Sequence, residues 1–228
     1  MKILKEESYA LMLFASAVQK EDSPLRNGVG NTLIRMLGSE YNPLVWHAAA
    51  CALGELGYEP AVESLVQLLH FGNGGVAEKY RNADGTFTVS LVDRIIGEIG
   101  GSERYKGFSD VFEVRDVRCA AVYSLGQIGG EKATKEIRKT MHEDPNFWVR
   151  ESAIRAYAIA RGAGAIDEFI EFLSTSKEKS TIAEVLGELG EKSDERVISA
   201  LEYLQNDENS KVAEYARKAL DKLKDKQA

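Results

Sequence analysis

Three histidines, two cysteines and a recurring glutamate are the side chains of this sequence best suited to chemistry. His47, His70 and His142 share no metal-ligand spacing. Only His142 precedes a carboxylate, Glu143, just before the Asp144-Pro145 turn, and a surface or loop histidine is expected there rather than a ligand. Cys51 and Cys119 are the only cysteines, and neither has a histidine at a spacing that marks a known family of thiol nucleophiles. Both are expected to be free, buried, structural thiols. Glu55, Glu98 and Glu188 recur at one position of a repeat, with Gln127 in a fourth copy. A catalytic carboxylate pair would occur once, at one place, so the recurrence argues for a structural or solvated role. No Gly-x-Ser-x-Gly, Walker-type or dinucleotide glycine pattern appears. The expectation is no catalytic residue, no cofactor and no metal.

A different chemistry is offered by Lys79-Tyr80-Arg81, where an aromatic ring stands between two cations, a pairing common at binding surfaces. It lies in residues 71–86, opened by Phe71-Gly72-Asn73-Gly74-Gly75 and closed by Asp84-Gly85. A loop of this length is uncommon unless functional or mobile. Three readings stand: a binding element, a tolerated surface loop, or a short hairpin turning at Asp84-Gly85. Glu103-Arg104-Tyr105-Lys106 echoes the triplet, but Tyr105 belongs to a core stripe, which makes the echo coincidental.

The elements that must position these residues come from a repeat. Val45-Trp46-His47-Ala48-Ala49-Ala50-Cys51-Ala52-Leu53-Gly54-Glu55-Leu56-Gly57 recurs as Val117-Arg118-Cys119-Ala120-Ala121-Val122-Tyr123-Ser124-Leu125-Gly126-Gln127-Ile128-Gly129. Its tail recurs at Ile96 to Gly100 and Leu186 to Gly190, with looser copies at Val149 to Arg161 and Val212 to Lys224. Counting the first residue as slot zero, apolar or small residues fall at slots 3, 4, 7, 8 and 11, one face of a helix. Slot nine holds Gly54, Gly97, Gly126 and Gly187. A mid-helix glycine costs about 1 kcal/mol relative to alanine, so close helix contact is expected to offset it. Gly57, Gly100, Gly129 and Gly190 at slot twelve suit left-handed helix caps.

A second helix follows each copy, with stripes Val62, Leu65, Val66, Leu69, then Ile166, Phe169, Ile170, Leu173, then Val197, Ala200, Leu201, Leu204. Tyr105, Phe108 and Phe112 match, as do Gly30, Leu33, Ile34 and Leu37, and more weakly Thr134, Ile137 and Met141. From the end of each stripe to the next copy the steps are 8, 5, 8, 5 and 8 positions, except for 19 between Leu69 and Thr88. The reading is all-α: a single α-solenoid over 1–228 of about six antiparallel helix pairs plus a C-terminal capping helix. The pairs fall at roughly 3–37, 44–70, 87–112, 116–141, 148–173 and 177–205, with the capping helix at 210–225 and the inserted loop 71–86 between the second and third pairs. In the first pair, 4–19 forms the first helix, with Leu11, Phe14, Ala15 and Val18 inward.

These residues resemble HEAT-like repeats of the short type found in phycobilisome lyase-related proteins. The likeness rests on Val117-Arg118, Ala120-Ala121 and Leu125-Gly126-Gln127-Ile128-Gly129, and on the equivalents from Val45. Trp46 stands where that pattern has arginine, and Tyr157-Ala158-Ile159-Ala160 replaces Leu-Gly, which implies local repacking. HEAT-like di-iron hydroxylases carry several His-Glu pairs, and the single His142-Glu143 does not match them. The resemblance implies either an interaction protein or a bilin lyase subunit or lyase-like chaperone.

Composition narrows the partners. With 228 residues, 44% hydrophobic and 29% charged, the chain is ordered. Its net charge of −7 and pI near 5.2 argue against nucleic acid, which remains a second alternative. Residues 163–228 hold 15 acids and 10 bases, net −5. The remainder, 36 − 15 = 21 acids against 29 − 10 = 19 bases, is net −2. No signal-peptide pattern or apolar run of membrane length appears, so a cytoplasmic location is expected. The function expected is a non-catalytic scaffold or adaptor gripping a protein partner. Its contacts would come from the insertion and from second-helix residues off the core stripe, which would line a concave face: Glu63, Gln67, Lys106, Asp110, Lys135, Lys139, Asp167, Glu168, Glu171, Ser199 and Glu202.

Overall fold

The structure, a computed structural model, describes residues 24–37, 43–70 and 114–225. All regular structure among them is helical. The chain divides into two compact units, Met1–Ile128 and Gly129–Ala228.

Unit one contains α1 (Pro24–Leu37), α2 (Pro43–Leu56), a 3-10 turn (Glu59–Ala61), α3 (Val62–Leu69) and α4 (Val114–Ile128). Proline opens α1 and α2, where a missing N–H is harmless and the fixed φ suits the helix. Gly57 ends α2 at φ +59. Its N–H donates to Gly54 O, and Tyr58 N–H reaches back to Leu53 O, so two of the helix's last carbonyls are satisfied. One more, Leu56 O, is held from α1, where Arg26 Nη2 donates to it at 2.8 Å and to the following Gly57 O at 3.1 Å. The Tyr58 ring lies against Gly30, where a Cβ would come within 2.4 Å of it, and its hydroxyl donates to Asn31 Oδ1 at 3.2 Å.

Helix α4 packs directly on α2 and α3. Slot-nine glycine explains the approach to α2: a Cβ on Gly54 would lie 2.8 Å from Ser124 Cβ. Ala49, Ala52, Leu53, Leu65, Leu69, Ala121 and Leu125 are fully buried. Buried Arg118 closes the contact, its Nε donating to the terminal carbonyl of α3, Leu69 O, at 2.7 Å. The pair expected at 87–112 lies outside the described residues. The face of the second pair is taken by α4.

Unit two contains α5 (Glu131–Glu143), α6 (Phe147–Arg161), a 3-10 turn (Gly162–Ala165), α7 (Ile166–Phe172), α8 (Lys179–Leu189), α9 (Glu195–Leu204) and α10 (Ser210–Asp225). Side-chain oxygens start the helices: Asn146 Oδ1 accepts from Trp148 N at 2.9 Å, Asp194 from Arg196 N at 3.1 Å, and Asn209 from Lys211 N at 3.0 Å. Where α8 meets α10, a Cβ on Gly187 would fall 2.6 Å from Ala219 Cβ. Helix α10 buries Val212, Ala213, Ala216, Ala219, Leu220 and Leu223 and exposes Lys211, Glu214, Lys218, Asp221 and Lys222, the polar outer face of a capping helix. No helix among the described residues is long and apolar enough to cross a membrane.

The described fold is the expected all-α solenoid of antiparallel helix pairs. Three local expectations are corrected. Gly190 is not left-handed but extended, at φ −66 and ψ 151. Its need for glycine is space, since a Cβ would sit 2.8 Å from Leu186 O and 2.9 Å from Val197 Cγ1. Leu68 and Phe172 are buried, while Val66 and Ile170 are half-exposed, because a 3.6-residue period carries an inward stripe past the positions first assigned. Cys51 and Cys119 form no disulfide and are half-buried, since slots six and two lie on the shoulders of the inward face.

Candidate interaction surface

The repeat's own polar residues hold the stack. The cation at slot one grips the connection to its neighbour: Arg118 holds Leu69 O, Arg150 Nη1 donates to Asp144 O at 2.7 Å, and Lys179 pairs with Asp207 at 3.1 Å. The slot-ten glutamate reaches slot ten of the next packed copy. Gln127 donates to Glu55 at 3.1 Å, and Lys222 pairs with Glu188 at 3.2 Å. Glu55 and Glu188 thus bridge neighbouring helices, while Glu98 lies outside the described residues.

His47 and Cys51, four residues apart on α2, form a pair that the sequence reading overlooked, with Sγ 3.9 Å from Nδ1. Burial, assisted by the Glu55 charge, pushes the thiol up to about 11, against a smaller opposing backbone hydrogen bond. Burial lowers His47 more than nearby Asp116 raises it. At neutral pH this is a thiol beside a neutral imidazole, the opposite of the thiolate that a nucleophile needs. Among the described residues no three His, Cys, Asp or Glu side chains are placed to hold a metal. A shallow open depression of about 520 Å³ beside Ile166, Leu189 and Glu191 includes Arg196, which is tied to Asp194 and Asp167.

The exposed sides of α5, α7 and α9 form a connected surface. On α5, Lys135, Arg138, Lys139 and His142 fall at i, i+3, i+4 and i+7 and are exposed. Arg138 donates to Glu168 on α7, and His142 Nε2 lies 3.6 Å from the same carboxylate. Tyr157 of α6 supplies another donor, its hydroxyl 2.5 Å from Glu168 Oε2. Burial would raise the Glu168 carboxyl, but the Tyr157 and Arg138 hydrogen bonds and the Arg138 charge outweigh it and hold it below its ordinary value. Burial, then the hydrogen bond to Glu168, pushes the Tyr157 phenol up. Rings lock the node from below: His142 lies 4.2 Å from Phe172, and Tyr157 meets Phe169 edge-on at 5.8 Å. One residue before Glu168, Asp167 of α7 pairs with Arg196 of α9.

Of the residues expected to touch a partner, Lys139, Glu168, Glu171 and Glu202 therefore lie on three linked helices of unit two. Lys139, Glu171 and Glu202 are exposed, but Glu168 is engaged. Glu63 and Gln67 are exposed on α3 of unit one. Lys79, Tyr80, Arg81, Lys106 and the 71–86 insertion lie outside the described residues. The sequence reading missed Tyr157 as the hub of this surface and Tyr203, 77% exposed beside Glu202. The replaced Leu-Gly pattern at 157 was the available signal.

The PBS lyase HEAT-like repeat family model matches residues 47–71 and 117–141. The protein carries HEAT-like repeats of this type. No curated protein sequence matches the chain. Among solved structures, human deoxyhypusine hydroxylase in complex with glycerol is similar, at 20% identity over 94% of this chain and 84% of that one, with a TM-score of 0.41.

Proposed function

We propose that the HEAT-like repeats serve as a protein-binding scaffold and that the α5–α7–α9 surface is a principal contact. The observation that supports this is the cross-linking of the three rows by Arg138–Glu168 and Asp167–Arg196. These pairs hold exposed charges at fixed spacing, and a preordered surface loses less entropy when a partner docks. Lys139, Glu171, Glu202 and Tyr203 supply contacts there. Glu63 and Gln67 supply them on α3, and Lys79, Tyr80, Arg81 and Lys106 are further contacts proposed from sequence.

The test is recovery of partners on the immobilised chain from the native host, read by mass spectrometry. Lys139→Glu combined with Glu171→Lys and Glu202→Lys should lose those partners at an unchanged melting temperature. Partners retained by that variant would refute the surface. Replacing 72–85 with a short Gly-Ser turn probes the insertion in the same way. A bilin lyase or lyase-like chaperone would instead change the absorbance of free bilin on mixing.

A further inference from the structure

We propose that the α5–α7–α9 face is self-complementary and that the partner docking on it is a second copy of this chain. This rests on the scaffold reading and names one occupant of the same surface. Helix α5 presents Lys135, Arg138 and Lys139 in one row, and α7 beside it presents Asp167, Glu168 and Glu171. Arg138 and Glu168 neutralise each other and Asp167 is paired with Arg196, which leaves Lys135 and Lys139 on one row facing outward beside Glu171 on the other. The Arg138–Glu168 pair fixes the two rows side by side. A face of one sign repels its own copy, whereas a face split into opposite rows does not. Rotation by a half-turn about an axis lying in the plane of the face, along and between α5 and α7, lays the basic row of each copy over the acidic row of the other, and every contact is made twice. Lys135 and Lys139 hold no ion pair among the described residues, so their charge is available to a second molecule. On the acidic flank, α9 adds the charge of exposed Glu202, which extends the negative side of the face.

The face is rich in charge, and exposed ion pairs contribute little each. The contact is therefore weak and sensitive to salt.

Sedimentation equilibrium of the full chain over a concentration series tests this. A dimer should form at low salt and dissociate as salt approaches roughly 0.5 M, where the Debye length is only a few ångströms. Lys135→Glu with Lys139→Glu should weaken self-association roughly tenfold, as should Glu171→Lys with Glu202→Lys. Mixing the two variants should restore a dimer between them. Unchanged melting temperatures would show that the variants are folded. A monomer at every low-salt concentration overturns the proposal, as does a dimer indifferent to both salt and charge reversal. Either result leaves the scaffold reading intact if an unlike protein is captured by the original chain and lost by these variants.

Discussion

At slot nine of the repeat α8 carries Gly187 and α6 carries Ala158, and the two helices meet their next neighbours differently. Gly187 lets the backbone of α10 come so close that one added methyl would strike Ala219 Cβ at 2.6 Å and Cα at 2.8 Å. Between α6 and α8 charged and polar side chains bridge the contact. Arg150 Nη2 reaches Glu178 at 2.5 Å, Arg155 reaches Glu184 at 2.7 Å, and Thr181 donates to Glu151 at 2.9 Å. The α2–α4 contact in unit one is again of the glycine kind, through Gly54 and Ser124. One repeat thus tolerates two attachments. A contact centred on glycine depends on shape and fails by overpacking even though polar pairs flank it, whereas a contact without the glycine leans more on paired charges and fails when one partner is left alone.

The largest effect is expected where a charge would be stranded. Arg150→Met leaves Glu178, 7% exposed, without its guanidinium, and should cost about 3–5 kcal/mol in chemical denaturation. A loss below about 1 kcal/mol would mean that the polar bridges of α6 are ornamental. Next comes the apolar face that both attachments share. Leu125→Ala removes a fully buried side chain from slot eight and should cost about 2–5 kcal/mol. A near-neutral result there would mean that slot eight is wrongly aligned.

The glycine contact itself is probed by Gly187→Ala. Helix propensity alone would add about 1 kcal/mol of stability, while the clash with Ala219 backbone should remove about 1–3 kcal/mol. A net loss is expected, and a stabilised variant would show that close approach is not why glycine stands there.

Tyr157→Phe keeps the slot-eight ring and deletes one donor to Glu168, for an expected loss of about 1–2 kcal/mol at neutral pH. Because the folded Glu168 pKa is depressed, this contribution is present above the ordinary carboxylate range and is lost as pH falls through the lowered value. Thermal melts of both proteins should therefore converge in acid. A gap of constant size would assign the loss to packing.

The smallest effect is Ser124→Ala. The Oγ of Ser124 is fully buried without a hydrogen-bond partner, so its removal should leave stability within about 0.5 kcal/mol or raise it. A clear loss would reveal a polar role at the α2–α4 contact.

The spacing of small and apolar residues determined the helices by itself. Expected boundaries such as 148–173, 177–205 and 210–225 differ by only a few residues from α6–α7, α8–α9 and α10, because helix periodicity and end signals act over a few positions along the chain. The left-handed caps at Gly57 and Gly129 are local in the same sense. What tertiary structure decided is who neighbours whom. Copies of the repeat present similar faces, and periodicity alone does not say which copy meets α2. The structure brings α4 against it, with Ser124 at slot seven on Gly54. The fate of single charges was decided in the same way. Glu168 reads as an exposed recognition residue, yet Arg138 lies 30 positions before it and Tyr157 11 before it, and only packing brings both to one carboxylate. Periodicity fixes which side of a helix a residue takes, but the distance between charges on different helices exists only after those helices have packed.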